Sequence, residues 1–229
     1  MSTATTALAG KAARDVRFLD STIGKKVVMA ITGVILVGFV IGHLLGNLQV
    51  YQGPHALDVY AEKLKSLPPL LWGTRIVLLI SVGLHIWSAV TLAGLQKRAR
   101  PVGYVKLKPV TSTYASRTMY WSGPILALFI VYHLLHFTTG QAHPQFVEGK
   151  VHQNLVLGFQ NPLVSASYIL AMLMLGMHLY HGVWSMFQTV GVNHPKYTPM
   201  LKKLAAAVSA FLVIGNISIP ISVLAGVIK

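Results

Sequence analysis

Apolar residues run almost unbroken through five stretches of the chain, about Val27–Leu48, Leu70–Leu95, Met119–Thr138, Leu163–Phe187 and Leu204–Ile228, and short polar clusters separate them. A run of about twenty apolar residues is long enough, as a helix, to cross a hydrocarbon core of about 30 Å. Five membrane-spanning helices are therefore predicted. Pro68-Pro69 and Asn161-Pro162 mark the starts of the second and fourth, because proline fits the first helical turn and asparagine caps it. Asn216 and Pro220 predict a kink in the fifth. The first run follows Lys25 and Lys26 as a secretory leader would, but it is too long for one and no small-residue cleavage site follows it.

Composition agrees with this layout. Hydrophobic residues make up 54% of the chain and charged residues 10%, too few charges to cover a soluble domain of 229 residues. An all-α integral membrane bundle is expected, one domain over residues 1–229 with a polar tail at 1–24. The net charge of +14 raises the question of nucleic acid. The basic residues, however, lie at the ends of the runs and not along a groove with interleaved aromatics, so no nucleic-acid partner is expected. The N-terminal tail, the Lys97–Arg117 stretch and the Gly191–Lys203 stretch hold every Lys and Arg except Lys63, Lys65, Arg75, Lys150 and Lys229. Basic loops stay in the cytoplasm, which places the N-terminus there and the C-terminus outside. Cysteine is absent, so thiolate-held zinc, an iron–sulfur cluster and a covalently attached haem are all excluded within this chain.

Against this apolar background the histidines stand out. His43, His85, His133 (with His136) and His178 (with His181) lie deep in four of the five runs, and the fifth has none. An ionisable side chain at membrane depth is costly and marks a functional site unless it has a partner. Counted from the basic boundaries at about 1.5 Å per residue, His43 and His133 lie roughly 25 Å in, and His85 and His178 roughly 20 Å. Two imidazoles at matched depth on facing helices are what a bis-histidine b-type haem requires. The second ring nitrogen is then free to bond a hydroxyl or a carbonyl. Gly42, Gly46, Gly83, Gly176 and Gly182 lie beside these histidines, where small residues admit either a porphyrin or a neighbouring helix. Spacing alone leaves His133 and His136, and likewise His178 and His181, as equal candidates, since i,i+3 pairs share one helix face.

The segments "IGHLLGN" around His43, "SLPPLLWGTRIVLL" with "GLHIW" around His85, "VYHLLHF" around His133 and "HLYHGVWSMF" at His178 resemble the five-helix, di-haem cytochrome b subunits of succinate:quinone oxidoreductases, quinol:fumarate reductases included. The likeness runs from about Lys25 to the last helix. It implies two haem b groups, His85 with His178 on the cytoplasmic side and His43 with His133 on the outer side, leaving His136 and His181 as neighbours. It implies a flavoprotein and an iron–sulfur subunit on the cytoplasmic face, with Lys11–Lys26 and Lys97–Arg117 as docking surface. It also implies membrane quinone (menaquinone before ubiquinone), surrounding lipid, and a multi-pass place in a bacterial cytoplasmic membrane. Some menaquinol-oxidising relatives carry a glutamate two residues before the helix IV ligand. Here that position is Gly176, so no proton path through it is expected.

A quinone site needs an apolar slot, hydrogen-bond donors and a proton exchanger. Asn47, Gln49, Tyr51, His55, Glu62, His136 and Gln141 are the candidates on the outer side, and Glu62 is preferred as the acidic one near the second helix. Lys26, Arg117 and Ser122 at the inner level, and Arg75 at the outer, are candidate partners for haem propionates. Two other functions fit less of the pattern: the cytochrome b subunit of a hydrogenase or formate dehydrogenase, and a haem-free transporter relaying protons through histidine.

Overall fold

A computed structural model describes residues 18–103, 105 and 112–229. It is helical throughout, and no β-strand occurs among the described residues. The long helices are α1 (Thr22–Asn47), α3 (Pro68–Ala99), α4 (Tyr114–His133), α6 (Pro162–Thr189) and α7 (Thr198–Leu224). Five segments qualify as membrane spans by length and apolar content: Thr22–Gln52, Pro68–Ala99, Tyr114–Thr138, Pro162–Thr189 and Thr198–Leu224. Most reach further into polar sequence than hydropathy alone indicates, because caps set the ends. Ser21 accepts the Gly24 N–H at 2.9 Å, and Thr113 accepts that of Ser116 at 3.1 Å. Asn161 Oδ1 accepts the Leu163 N–H at 3.0 Å just ahead of Pro162. The fifth span ends earlier than residue 228. Gly226 adopts φ +70, its N–H returns to the Val223 carbonyl, and the helix closes at Leu224. Helix α7 runs on through Pro220, whose absent N–H frees one carbonyl of the preceding turn.

Two short helices were not visible in the hydropathy pattern, α2 (Pro54–Lys65) and α5 (Val151–Gln160). They pack on each other and close one end of the bundle, called here the capped end. The other end carries the Lys and Arg clusters and is the basic end. Asp58 of α2 accepts the His152 N–H at the start of α5 at 2.8 Å, a carboxylate at a helix N-terminus. Val50, Leu57, Leu155, Phe159, Tyr168, Ile219 and Val223 form the core under the cap. The loop ahead of α5 is fastened by Asn154, whose amide gives Nδ2 to the Val147 carbonyl at 2.7 Å and takes the Val147 N–H at 2.8 Å. Asn154→Ala removes both of these part-buried hydrogen bonds to Val147 and is expected to cost about 1 kcal/mol locally. Faster amide hydrogen exchange between residues 140 and 150 is the readout.

Helix packing defines the interior. Helix α1 lies against α3, α4 against α6, and α6 against α7, with α1 joining the two groups through α6 and α7. Leu44, Leu179 and Leu212 fill the junction. The pairs α1–α4 and α3–α6 are not packed closely among the described residues. The outer faces are apolar and exposed, with Leu79, Val90, Leu128, Leu163 and Ile214 all projecting outward, as contact with hydrocarbon requires.

Candidate functional site

The histidines predicted from the sequence meet across those two loosely packed helix pairs. Toward the capped end the His43 ring of α1 and the His133 ring of α4 have centroids 5.7 Å apart at 88°. Toward the basic end His85 of α3 and His178 of α6 stand 6.2 Å apart at 53°. Metal–imidazole bonds of about 2.0 Å, with a ring nitrogen about 1.1 Å from its centroid, put trans imidazoles on one metal roughly 6 Å centre to centre. Both pairs stand close to that spacing. No third His, Cys, Asp or Glu joins either pair in a metal-sized cluster among the described residues. Two protein ligands alone suit a metal whose remaining positions are filled by a macrocycle.

Hydroxyl groups hold the far nitrogens of three of the rings. Thr32 Oγ1 lies 3.1 Å from His85 Nδ1 and itself donates to the Val28 carbonyl at 2.8 Å. Ser122 Oγ lies 3.4 Å from His178 Nδ1, and the Tyr168 hydroxyl 3.4 Å from His133 Nδ1. An imidazole bonded at Nδ1 keeps Nε2 as the nitrogen available to a metal. His43 stacks on Phe39 at 5.4 Å instead. The backbone behind these rings is fixed by packing: Leu44 beside His43 is fully buried, and a Cβ on Gly46 would meet the Tyr60 ring at 2.7 Å.

The glycines divide. A Cβ on Gly42, Gly83 or Gly182 would find nothing within 4 Å. Gly46 and Gly176 are packing glycines. A Cβ on Gly176 would stand 2.5 Å from Val213 Cγ2, and its carbonyl accepts the Ser209 hydroxyl at 2.6 Å. A side chain at 176 would press on Val213 of α7.

Of each i,i+3 pair, one ring faces a partner. His178 is the ring that meets His85. His136 lies in the π-turn Leu134–Thr138, where the Thr139 N–H bonds the Leu134 carbonyl at 2.9 Å; it reaches the same Tyr168 hydroxyl as His133, while the ring that meets His43 is His133. His136 is instead buried against Tyr132, His143 and Tyr168. Ser122, placed with the propionates by height, reaches His178. Lys26 and Arg117 are exposed at the basic end, and Arg75 is half-buried with its guanidinium 5.0 Å from the Trp72 ring. Tyr51 is bound to Ser218 at 2.9 Å and Ser222 at 3.0 Å. Glu62, His55 and Gln141 are exposed, and Asn47 and Gln49 half-buried. Lys11, Arg14, Arg17, Lys106 and Lys108, part of the expected docking surface, lie outside the described residues. Thr32 and Tyr168 escaped the sequence reading. A hydroxyl within an apolar run was their only signal, and it does not say which ring it meets.

Residues 96–215 match the family described as succinate dehydrogenase/fumarate reductase transmembrane subunit. No curated protein and no solved structure matches the chain. The matched segment takes in α4 to α6 and most of α7, with His133, His136, His178 and His181, while His43 and His85 lie before it. Over half of the chain, five helices fit to span a membrane and the family match lead to one conclusion: this chain belongs to the transmembrane subunits of succinate dehydrogenase/fumarate reductase.

Proposed function

We propose that the chain is the di-haem b membrane anchor of its complex, with His85 and His178 as ligands of one haem and His43 and His133 of the other. The observation that carries this reading is two imidazole pairs at two levels, each from two helices that do not pack closely. When bound, each haem supplies a one-electron carrier, so the chain connects an iron–sulfur partner to membrane quinone. The chain's own residues do the rest. Thr32, Ser122 and Tyr168 hold the ligand rings by their Nδ1 atoms, and Gly42, Gly83 and Gly182 leave room for the macrocycle. Arg75 is assigned to a propionate of the His43–His133 haem. His43 lies about three turns beyond Thr32 on α1, and Arg75 about three turns back from His85 on α3, which runs the other way, so the two share a height.

The basic end is assigned to the cytoplasm, where the flavoprotein and iron–sulfur subunits dock, in a bacterial cytoplasmic membrane. Quinone is assigned to the capped end. An apolar groove of about 430 Å³ opens there between α1 and α3, lined by Ile35, Phe39, Pro69, Leu70 and Gly73, with Phe39 stacked on His43. Glu62, exposed on α2 shortly before Pro69, is the carboxylate assigned to quinone proton exchange. Menaquinone is the species the resemblance favours.

The test is purification of the intact complex with dithionite-reduced minus oxidised spectra and a haem-to-protein ratio. The expected result is b-type bands, two haems per chain, and co-purifying flavin and iron–sulfur subunits with succinate or fumarate activity. Absence of protoporphyrin iron overturns the reading in favour of a haem-free anchor. A nickel or molybdenum partner transfers it to another class of membrane oxidoreductase.

A further inference from the structure

A second group of imidazoles lies under the cap, outside the four paired rings. His136, His143 and His152 are buried there. His143 is internally satisfied: its Nε2 lies 2.9 Å from the Asn154 carbonyl, to which only an N–H can donate, and its Nδ1 accepts the Gln145 N–H at 3.2 Å. That fixes a neutral ring with its proton on Nε2. His136 stacks between Tyr132, at 5.4 Å and 8°, and His143, at 4.9 Å and 19°. Its Nδ1 meets the Tyr168 hydroxyl at 3.0 Å, and the same hydroxyl lies 3.4 Å from Nδ1 of His133.

One phenol thus serves two imidazole nitrogens. It has a single proton to donate, so one nitrogen accepts that proton and the other must donate its own to the phenol oxygen. A His133 that gives its Nε2 lone pair to iron carries its proton on Nδ1, which makes His133 the donor. The order is then His133 Nδ1–H to Tyr168 Oη, and Tyr168 O–H to His136 Nδ1, the shorter contact.

We propose that Tyr168 is a positioning residue for the capped-end haem, holding the His133 ligand by its Nδ1–H within a directed chain that ends on His136, and so lowering the reduction potential of that haem relative to an untied imidazole. The proposal rests on the bis-histidine reading above. Its physical basis is that a hydrogen bond from the far nitrogen makes the imidazole a stronger donor to iron and favours the ferric state. The fold supports the chain specifically. His136, in the π-turn after His133, reaches the same hydroxyl, and Phe129 and Phe159, each 4.9 Å from the Tyr168 ring, hold the phenol edge-on. At the other level a separate chain runs from His85 through Thr32 to a backbone carbonyl, so the two haems are tied by unlike acceptors.

The experiment is a redox titration of both haems, with low-temperature electron paramagnetic resonance of the ferric state, on the whole complex carrying Tyr168→Phe. The phenyl ring keeps the aromatic packing and removes only the hydroxyl. The expected result is an upward shift in potential of the haem that His43→Ala removes, a changed low-spin signal for that haem, and no change in the other. Thr32→Val should shift the other haem alone. His136→Leu, which takes away the acceptor of the phenol without touching His133, should raise the capped-end potential by a smaller amount, and it serves as the deciding variant if Tyr168→Phe does not assemble. An unchanged capped-end potential and signal in the variant that assembles overturns the proposal while leaving the two haems in place. A wild-type complex without haem would instead remove the reading on which it rests.

Discussion

Replacing either His85 or His178 by alanine is expected to halve the haem content of the complex, removing the same haem in both cases and sparing the one held by His43 and His133. The two rings stand 6.2 Å apart, and among the described residues no other imidazole is in ring contact with either. On the proposed assignment, loss of one ligand would leave a haem iron with a single protein bond inside an apolar bundle. The effect should far exceed that of removing a supporting hydroxyl, which typically costs 10–100-fold in metal affinity. Ser122→Ala, lacking the group 3.4 Å from His178 Nδ1, should therefore keep the haem but release it more readily to a competing apo-globin. His43→Ala and His133→Ala should remove the other haem as a matched pair. The pyridine haemochrome assay against protein mass reads all four. His181→Ala is the discriminating variant: it should retain both haems. A result in which His181→Ala loses the basic-end haem and His178→Ala keeps it would reverse the assignment on α6.

Much of this was legible in the sequence, for a physical reason. A membrane bundle cannot afford idle polar groups in its apolar runs, so every deep histidine announces itself, and depth from the basic boundaries sorts His43 with His133 and His85 with His178. The same economy made the five spans legible. What was hidden depends on angles and partners that spacing does not encode. His133 and His136 share a side of the helix and one Tyr168 hydroxyl, yet only His133 meets the His43 ring. Gly42 and Gly46, four residues apart on one helix, look alike, yet one borders open space and the other receives Tyr60. Ser122 lies at a height that suits a propionate, while its rotation about α4 delivers it to His178. Helices α2 and α5 were missed because they are short and mixed in character, and their stability comes from packing on each other, with α5 also on α6 and α7, and not from an apolar run of their own.

The second large effect lies at a glycine of α7, the long helix that carries no histidine. A Cβ built on Gly215 of α7 would stand 2.6 Å from Leu44 Cδ2, 3.0 Å from Cδ1 and 3.3 Å from Cγ. Leu44 has nowhere to move. It is fully buried and enclosed by Leu179 and Leu212, with Val40, Ile41 and Leu48 packed around them. Gly215→Val must therefore push α1 and α7 apart, an overpacking cost of about 1–3 kcal/mol. That strain falls on α1 one residue from His43, so the capped-end pair should yield first. The expected result is a lowered thermal midpoint of the detergent-solubilised complex, together with partial loss of the haem that depends on His43 and retention of the one that depends on His85 and His178. Gly94→Ala on α3 is the matched control. A Cβ there meets nothing within 4 Å, and alanine is the better helix former by about 1 kcal/mol, so stability should hold or rise. If Gly215→Val kept the wild-type midpoint and both haems, Leu44 would not be the wedge that seats His43, and the position of that ring would have to come from Phe39 and the slot between α1 and α4 alone.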